Sequence, residues 1–267
     1  MQTWLMMLLY SALFLLVGTA LFFFTLTRGA LLLRYATGNT QHDAAHVYPI
    51  YANMKLIKLI DFQPLIGAIL LFQYDRLVNT IVAELEQMDL KEKRVLITSC
   101  AFGNVIPLVA QAASAQGVKT LLIADIIQNE LINAQGKLKD FSGEIIYSEE
   151  NAIAMKQADA SVSANVIFFL LHELPHHLKT QALQEAVRVL EPGGKLFLAE
   201  FHRPDPWALR ALSWTYFKVF EPYGLALWST HDPLHQLCAM RGISCQRKTV
   251  FFGNFQVIVA TKQALVT

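Results

Sequence analysis

Residues Val95–Asn104, VLITSCAFGN, decide how this chain is read. Val95–Thr98 has strand character, a short turn follows, and Val105–Ala115 has the apolar content of a buried helix. Strand, tight loop and helix in that order form the first β-loop-α unit of a doubly wound sheet, whose ligands sit over the strand ends. Loops that approach a nucleoside ligand closely usually carry glycine, because a missing Cβ permits both close contact and positive φ. Here the small positions are Ser99, Ala101 and Gly103, and Ile97 stands where an acid is expected. Either the loop is structural, or it holds its ligand in an altered way.

Strand and helix signals alternate from this loop to the C-terminus. Thr120–Ala124 reads as a second strand ending at Asp125, and Glu144–Tyr147 as a short third. Asn165–Leu171, NVIFFLL, is a buried strand rich in β-branched and aromatic residues. Helix Thr180–Leu190 is expected to stop at the turn Glu191-Pro-Gly-Gly, before a strand over Lys195–Glu200. Lys248–Phe252 and Phe255–Thr261 read as a hairpin joined at Gly253-Asn254, which predicts one antiparallel edge strand. The sum is an α/β fold: a seven-stranded, mostly parallel sheet with an antiparallel C-terminal strand and helices on both faces. Upstream, Pro49–Glu86 reads as two or three helices, with Pro64 at a helix start, and Asp89–Arg94 is a charged connector.

Residues Trp4–Leu26 carry no charge, long enough as a helix to cross the ~30 Å hydrocarbon core. No basic residue precedes the run, whereas a signal peptide usually has a basic start. The pattern predicts a single-pass anchor over residues 1–34, a helical segment over 35–90 and an α/β domain over 91–267. Gly38–Ala44 forms a polar break. Arg28, Arg34, Lys55 and Lys58 follow the uncharged run, so the positive-inside rule puts the domain in the cytoplasm, on the inner membrane. A net charge of +1 gives no case for nucleic-acid binding. Three cysteines without a C-x-x-C pair suggest no disulfide framework.

Residues with chemical potential gather at the predicted strand ends. Asp125 can bond ribose hydroxyls, or cap a helix. Glu150 and Asn151 follow the third strand and can bond an exocyclic amine. His172-Glu-Leu-Pro-His176 has the letters of the zinc-peptidase motif, but Pro175 breaks the continuous helix that motif needs, so a peptidase is excluded. His172 and Glu173 follow one central strand, and Glu200 and His202 end the next. They can serve as acid and base, as ligands of a hard cation, or as a buried Glu–His network. Residues Pro206–Trp228 are dense in aromatic groups and offer an apolar lid or a membrane-facing surface.

Over roughly Val95–Thr261, the loop, Asp125 and the turn RVLEPGGKL resemble class I S-adenosylmethionine-dependent methyltransferases. Four segments are similar to a narrower family, the RquA-like rhodoquinone biosynthesis proteins: AILLFQYDRL (Ala68–Leu77), FFLLHELP (Phe168–Pro175), EFHRP (Glu200–Pro204) and FEPYGLALW (Phe220–Trp228). The resemblance implies a Rossmann-like methyltransferase fold. It implies conversion of ubiquinone drawn from the bilayer into rhodoquinone, one ring methoxy group being replaced by an amine. S-adenosylmethionine would be the amino donor, assisted by Mn²⁺ on ligands not specified. It places the cofactor on Thr98, Ser99, Cys100, Ala101, Phe102, Gly103, Asp125, Ile126, Glu150 and Asn151, and catalysis on Tyr74, His172, Glu173 and His202. Two other readings stay open: a quinone or lipid methyltransferase, and a non-catalytic quinone-binding module.

Overall fold

The computed structural model describes residues 2–30, 32–33, 48–100, 102–138 and 141–264. Arg34, Ala101 and the polar break Gly38–Ala44 lie outside the described residues. The first helix, α1 (Gln2–Phe24), is apolar on every side and its described side chains stand almost entirely exposed. Its stretch Trp4–Phe22 has a mean hydropathy of 2.3, long and apolar enough to cross a membrane.

Among the described residues, three α-helices stand between α1 and the sheet: α2 (Met54–Ile60), α3 (Gln63–Ile69) and α4 (Tyr74–Leu85). Asn53 starts α2 by accepting the Lys55 amide at 2.9 Å, the usual service of an N-cap side chain. Pro64 sits in the first turn of α3, where its missing N–H costs nothing. In α4, Tyr74, Leu77, Val78, Ile81 and Leu85 recur at helical spacing and are all buried, while Asp75 and Arg76 face out.

The sheet contains β1 (Arg94–Thr98), β2 (Thr120–Asp125), β3 (Glu144–Glu149), β4 (Val162–Phe168), β5 (Leu190–Phe201), β6 (Ile243–Val250) and β7 (Phe255–Lys262), in the order β3-β2-β1-β4-β5-β7-β6. Helices α5 (Val105–Ala115), α6 (Gln128–Lys137) and α7 (His176–Arg188) make the crossovers, and α8 (Trp207–Val219) and α9 (Pro233–Cys238) follow β5. Alternation explains the two-sided core. Val95 and Ile97 of β1 join one apolar cluster and Leu96 the other, as a sheet covered on both faces demands.

Three expectations are corrected in detail. The antiparallel strand is β7, and it lies inside the sheet, paired with β5 on one side and β6 on the other. The edge is β6, whose alternating exposed residues suit solvent on one face. Glu191-Pro-Gly-Gly does not end before β5; it lies within it, absorbed by a register shift against β4. A Cβ on Gly194 would stand 2.9 Å from the Glu191 carbonyl oxygen and 3.0 Å from that of Ser163, so this bulge needs glycine. Finally, β4 ends at Phe168 rather than Leu171, which leaves Phe169–Leu174 free to form a loop at the carboxyl edge.

Candidate functional site

Strand order reverses between β1 and β4, and a cavity of about 290 Å³ opens over their carboxyl ends. Its wall includes Thr98, Ser99, Cys100, Phe102, Asp125, Ile126, Glu150, Asn151, Tyr74, His172 and Glu173. Eleven residues separated by up to a hundred positions therefore meet because each follows or supports a strand end. Gly103 and His202 are not in the wall.

The β1–α5 loop keeps the backbone path of a ligand loop without its glycines. Ser99 adopts φ +74° and Gly103 φ +80°, so the strained turn is retained and only the second is filled by the residue that tolerates it freely. Thr98 Oγ1 donates to Asn165 Oδ1 at 2.8 Å. Phe102 stacks on Tyr51 with ring centroids 5.8 Å apart. The Gly103 amide donates to Asp61 Oδ1 at 2.7 Å, and Lys137 Nζ donates to the Gly103 carbonyl at 3.0 Å. Tyr74 holds the same loop from below: its hydroxyl donates to the Phe102 carbonyl and accepts from the Val105 amide, each at 2.8 Å. Both capacities of that hydroxyl are spent on backbone, which makes Tyr74 a support of the loop.

Asp125 ties this loop to β2. Its Oδ2 accepts the Cys100 amide at 2.6 Å and its Oδ1 the Ile127 amide at 2.8 Å. Burial pushes its carboxyl up to about 6, against the two backbone hydrogen bonds that hold it down. Glu150 accepts the Lys156 amide at 2.6 Å and Gln157 Nε2 at 2.8 Å, and Asn151 Oδ1 accepts the Ile153 amide at 3.2 Å. Glu130, in the first turn of α6, also faces the cavity, and among the described residues neither of its carboxyl oxygens has a hydrogen-bond partner.

The far half of the cavity gathers ionisable side chains. His172 Nδ1 lies 3.1 Å from Glu200 Oε1, and both side chains are buried. Burial drives the imidazole down; the charge of Glu200 and its hydrogen bond outweigh that, with Glu221 and Glu173 adding, and the net result is about 9. Glu173 accepts Tyr51 Oη at 2.6 Å and Glu221 accepts Tyr48 Oη at 2.5 Å. Burial pushes Glu221 up to about 8, opposed by His172. Lys179, fully buried, donates to the carbonyls of Leu171 and Leu174 and so clamps the loop that bears His172 and Glu173. Phe169, Phe201, Tyr216 and Phe220 supply the apolar wall.

The structure separates what the zinc-peptidase letters put side by side. His172 lies in the loop, and His176 opens α7 and stacks on His231 instead. His202 points away from the cavity: its Nδ1 is 2.6 Å from the Gly253 carbonyl oxygen and its Nε2 3.2 Å from Arg247. Of the two Glu/His strand ends, only His172 and Glu200 combine. Among the described residues no group of three or more His, Cys, Asp or Glu is placed to hold a metal ion. The manganese that the resemblance implies thus finds no donor set among the described residues. Tyr48, Tyr51, Glu130, Lys179 and Glu221 carry no local motif that marks them for the site; of these only Glu221 lies in a segment singled out above, FEPYGLALW.

Residues 60–230 match the ubiE/COQ5 methyltransferase family. A ubiquinone/menaquinone biosynthesis C-methyltransferase, UbiE, of Yersinia pestis is 31% identical over 114 residues, 42% of this chain and 44% of that protein. The match thus spans less than half the length of that relative. Among solved structures, the carbon methyltransferase CurJ is similar with a TM-score of 0.61 at 15% identity, over 92% of this chain and 67% of that one. An O-methyltransferase family protein from Burkholderia thailandensis follows at 0.57 and 12%, over 82% and 63%. At these identities the structural likeness establishes the methyltransferase fold alone.

Proposed function

This chain belongs to the ubiE/COQ5 methyltransferase family, and from that premise we propose an S-adenosylmethionine-dependent transferase acting on the headgroup of a membrane quinone. The observation that carries this reading is one cavity with two unlike halves: a nucleoside side at Asp125, Ile126 and Glu150, and an aromatic side where His172, Glu173 and Glu221 converge. The buried carboxyl of Glu130, without a hydrogen-bond partner among the described residues, and apolar surface from Ile126 and Phe102 suit a nucleoside. When bound, S-adenosylmethionine supplies the group to be transferred.

The chain's own residues do the rest. His172 is cationic at neutral pH and its Nδ1 is engaged by Glu200, so Nε2 serves to hold a quinone oxygen as negative charge develops there. Glu221 and Glu173 take or return a proton through Tyr48 and Tyr51. The aromatic wall excludes water from the ring.

A quinone with an isoprenoid tail arrives through lipid, and the outer surface fits that route. On α8, Trp207 is 80% exposed and Leu212 63%, while Phe217 on the opposite side is buried. Lys218 lies over the Trp214 ring at 5.5 Å, a basic–aromatic pairing suited to a bilayer surface. The end of α1 and the turn after it meet the C-terminal end of the same helix: Arg28 donates to the Val219 carbonyl at 3.2 Å, and Phe24 packs edge-on against Phe220. We read α1 as the anchor in the inner membrane, with the sheet on the cytoplasmic side.

The finer reading is that the reaction replaces a ring methoxy group by an amine with S-adenosylmethionine as amino donor, as the RquA-like segments imply. The altered loop, with Ser99 at φ +74° and Cys100 in its wall, supports a changed fit around the amino acid end of the cofactor. The family match favours a second reading, methylation of a quinone. Expression of the full chain in a host that makes ubiquinone but no rhodoquinone, followed by lipid mass spectrometry, separates them. Loss of a methoxy with gain of an amine supports the first, gain of a methyl the second. An unchanged quinone pool, with the protein shown to bind S-adenosylhomocysteine, refutes both.

A further inference from the structure

Part of the cavity wall comes from residues that also belong to the outside of the molecule. The wall includes Ala20 of α1, Ile66 and Ile69 of α3, Leu70, and Phe220 after α8. Ala20 lies inside the uncharged stretch Trp4–Phe22, near its C-terminal end. A cavity whose wall borrows a residue from a membrane-length helix opens at the level of the acyl chains when that helix spans the bilayer. Ile69 lines the cavity and is nevertheless 37% exposed, so it stands at a mouth.

The outer side of the same elements is apolar. Leu59 of α2, Phe62 at the start of α3 and Phe72 in the bend before α4 are all exposed, Phe72 by 81%. The bend that presents Phe72 is strained and closely bonded. Leu71 and Phe72 take φ +51° and +58°, a region that costs a residue with a side chain free energy. The Phe72 amide donates to the Gly67 carbonyl at 2.7 Å, and the Gln73 amide to that of Leu70 at 2.9 Å. Two successive left-handed residues thus hold a phenyl ring away from the core, and strain of this kind gathers where a function needs it. The charges fit a lipid partner. Between Ala52 and Gln73 the exposed charges are Lys55 and Lys58, and the one acid, Asp61, is held by Lys137 at 2.5 Å. Cations beside exposed Leu and Phe make a surface that rests on an anionic leaflet.

We propose that α2, α3 and the Phe72 bend form a lip that dips into the leaflet beside α1, and that the mouth lined by Ile69 and Ala20 admits the isoprenoid tail of the quinone. The ring then meets His172 and Glu173 in the same cavity while the tail stays in lipid. The inference rests on the reading of a quinone substrate and of α1 as an anchor. It adds a lipid-facing element distinct from α8 and a route into the site.

Two measurements on the full-length protein in nanodiscs test it. In the first, an environment-sensitive fluorophore is attached to Phe72→Cys, to Leu13→Cys within α1, or to Lys91→Cys ahead of β1. Each sits in a Cys238→Ser, Cys245→Ser background, and the quencher is lipid brominated on its acyl chains. Bromine is expected to dim the labels at positions 13 and 72 roughly twofold or more and to leave the one at 91 unchanged. A label at 72 that is quenched by aqueous iodide and not by bromine overturns the lip with the anchor intact. A label there shielded from both shows a second copy or another protein covering the bend, and overturns it too. An unquenched label at 13 overturns the anchor and the lip together.

In the second, dissociation constants are measured for a tailless ubiquinone headgroup and for one with several isoprenoid units. The proteins are wild type, Ile69→Trp, which narrows the mouth, and Ile69→Ser, which removes its apolar edge without adding bulk. Partition of the tailed quinone into lipid is common to all three and cancels. Ile69→Trp is expected to raise the ratio of tailed to tailless dissociation constants on the order of tenfold over wild type, and Ile69→Ser less. An unchanged ratio in both variants overturns the entry route while the quinone reading stands. Failure of wild type to bind either quinone overturns that reading and this inference with it.

Discussion

Glu200→Gln tests the electrostatic core of the site. Glu200 is fully buried and holds His172 through Nδ1 at 3.1 Å. Burial by itself lowers the imidazole, yet Glu200, with smaller contributions from Glu221 and Glu173, raises the net value from 6.5 to about 9. A shift of that size corresponds to about 3 kcal/mol at ~1.36 kcal/mol per unit. Because the folded-state value lies above the unfolded one, the contribution is complete below pH 6.5 and is lost as pH rises through about 9. Glutamine keeps the shape and can still accept the Phe201 amide, but removes the charge. The variant is therefore expected to lose about 3 kcal/mol at pH 6 and to approach wild type above pH 9.5. Glu130 is common to both proteins and largely cancels in the difference, whereas Glu221 feels both His172 and Glu200, so the difference is read at pH 6 and above pH 9.5, on either side of its titration near 8. Urea denaturation of the two proteins from pH 6 to 10 measures that difference directly. Parallel stability profiles, with a constant gap at every pH, would refute the assignment of a charged His172–Glu200 pair.

Three further outcomes are expected. Ser99→Gly relieves a left-handed residue at φ +74°, worth ~1–2 kcal/mol, against the added ~0.5–1 kcal/mol of unfolded-chain freedom that glycine brings. A small gain in urea stability without a rise in product formation is the expected pair of results; a clear rise in activity would show that the missing glycine is a defect. Gly103→Ala puts a Cβ 2.6 Å from the Tyr74 ring and hydroxyl at φ +80°, so a loss of at least ~2 kcal/mol in urea and weaker binding of S-adenosylhomocysteine should accompany each other. His202→Ala removes the link to Gly253 and Arg247 outside the cavity; calorimetry should find unchanged affinity for S-adenosylhomocysteine with a stability loss of about 1 kcal/mol.

Local patterns carried much of the architecture. Val105–Ala115 reads as a helix from its apolar content and is one to the residue, and Thr120–Asp125 ends where its last acid stands. The hairpin before Phe255 follows from one Gly-Asn pair, but its insertion inside the sheet depends on pairing with β5, which no local signal contains. The turn letters Pro192-Gly193-Gly194 mislead for the same reason: β4 alongside them converts a stop into a bulge.

For the site the division is sharper. Chain order alone places Thr98, Asp125 and Glu150 on one edge, because parallel strands joined by right-handed crossovers all end on the same side. The sequence by itself thus determined a doubly wound sheet, the edge that faces a ligand, and which acids stand on it. Only the tertiary structure decided which of those acids are already engaged. Tyr48 reaches Glu221 across 173 residues and Tyr51 reaches Glu173 across 122, while Glu130 has no hydrogen-bond partner among the described residues. A carboxyl's chemistry depends on the donors within about 3 Å of it, and those come from segments whose meeting is set by packing of the whole sheet.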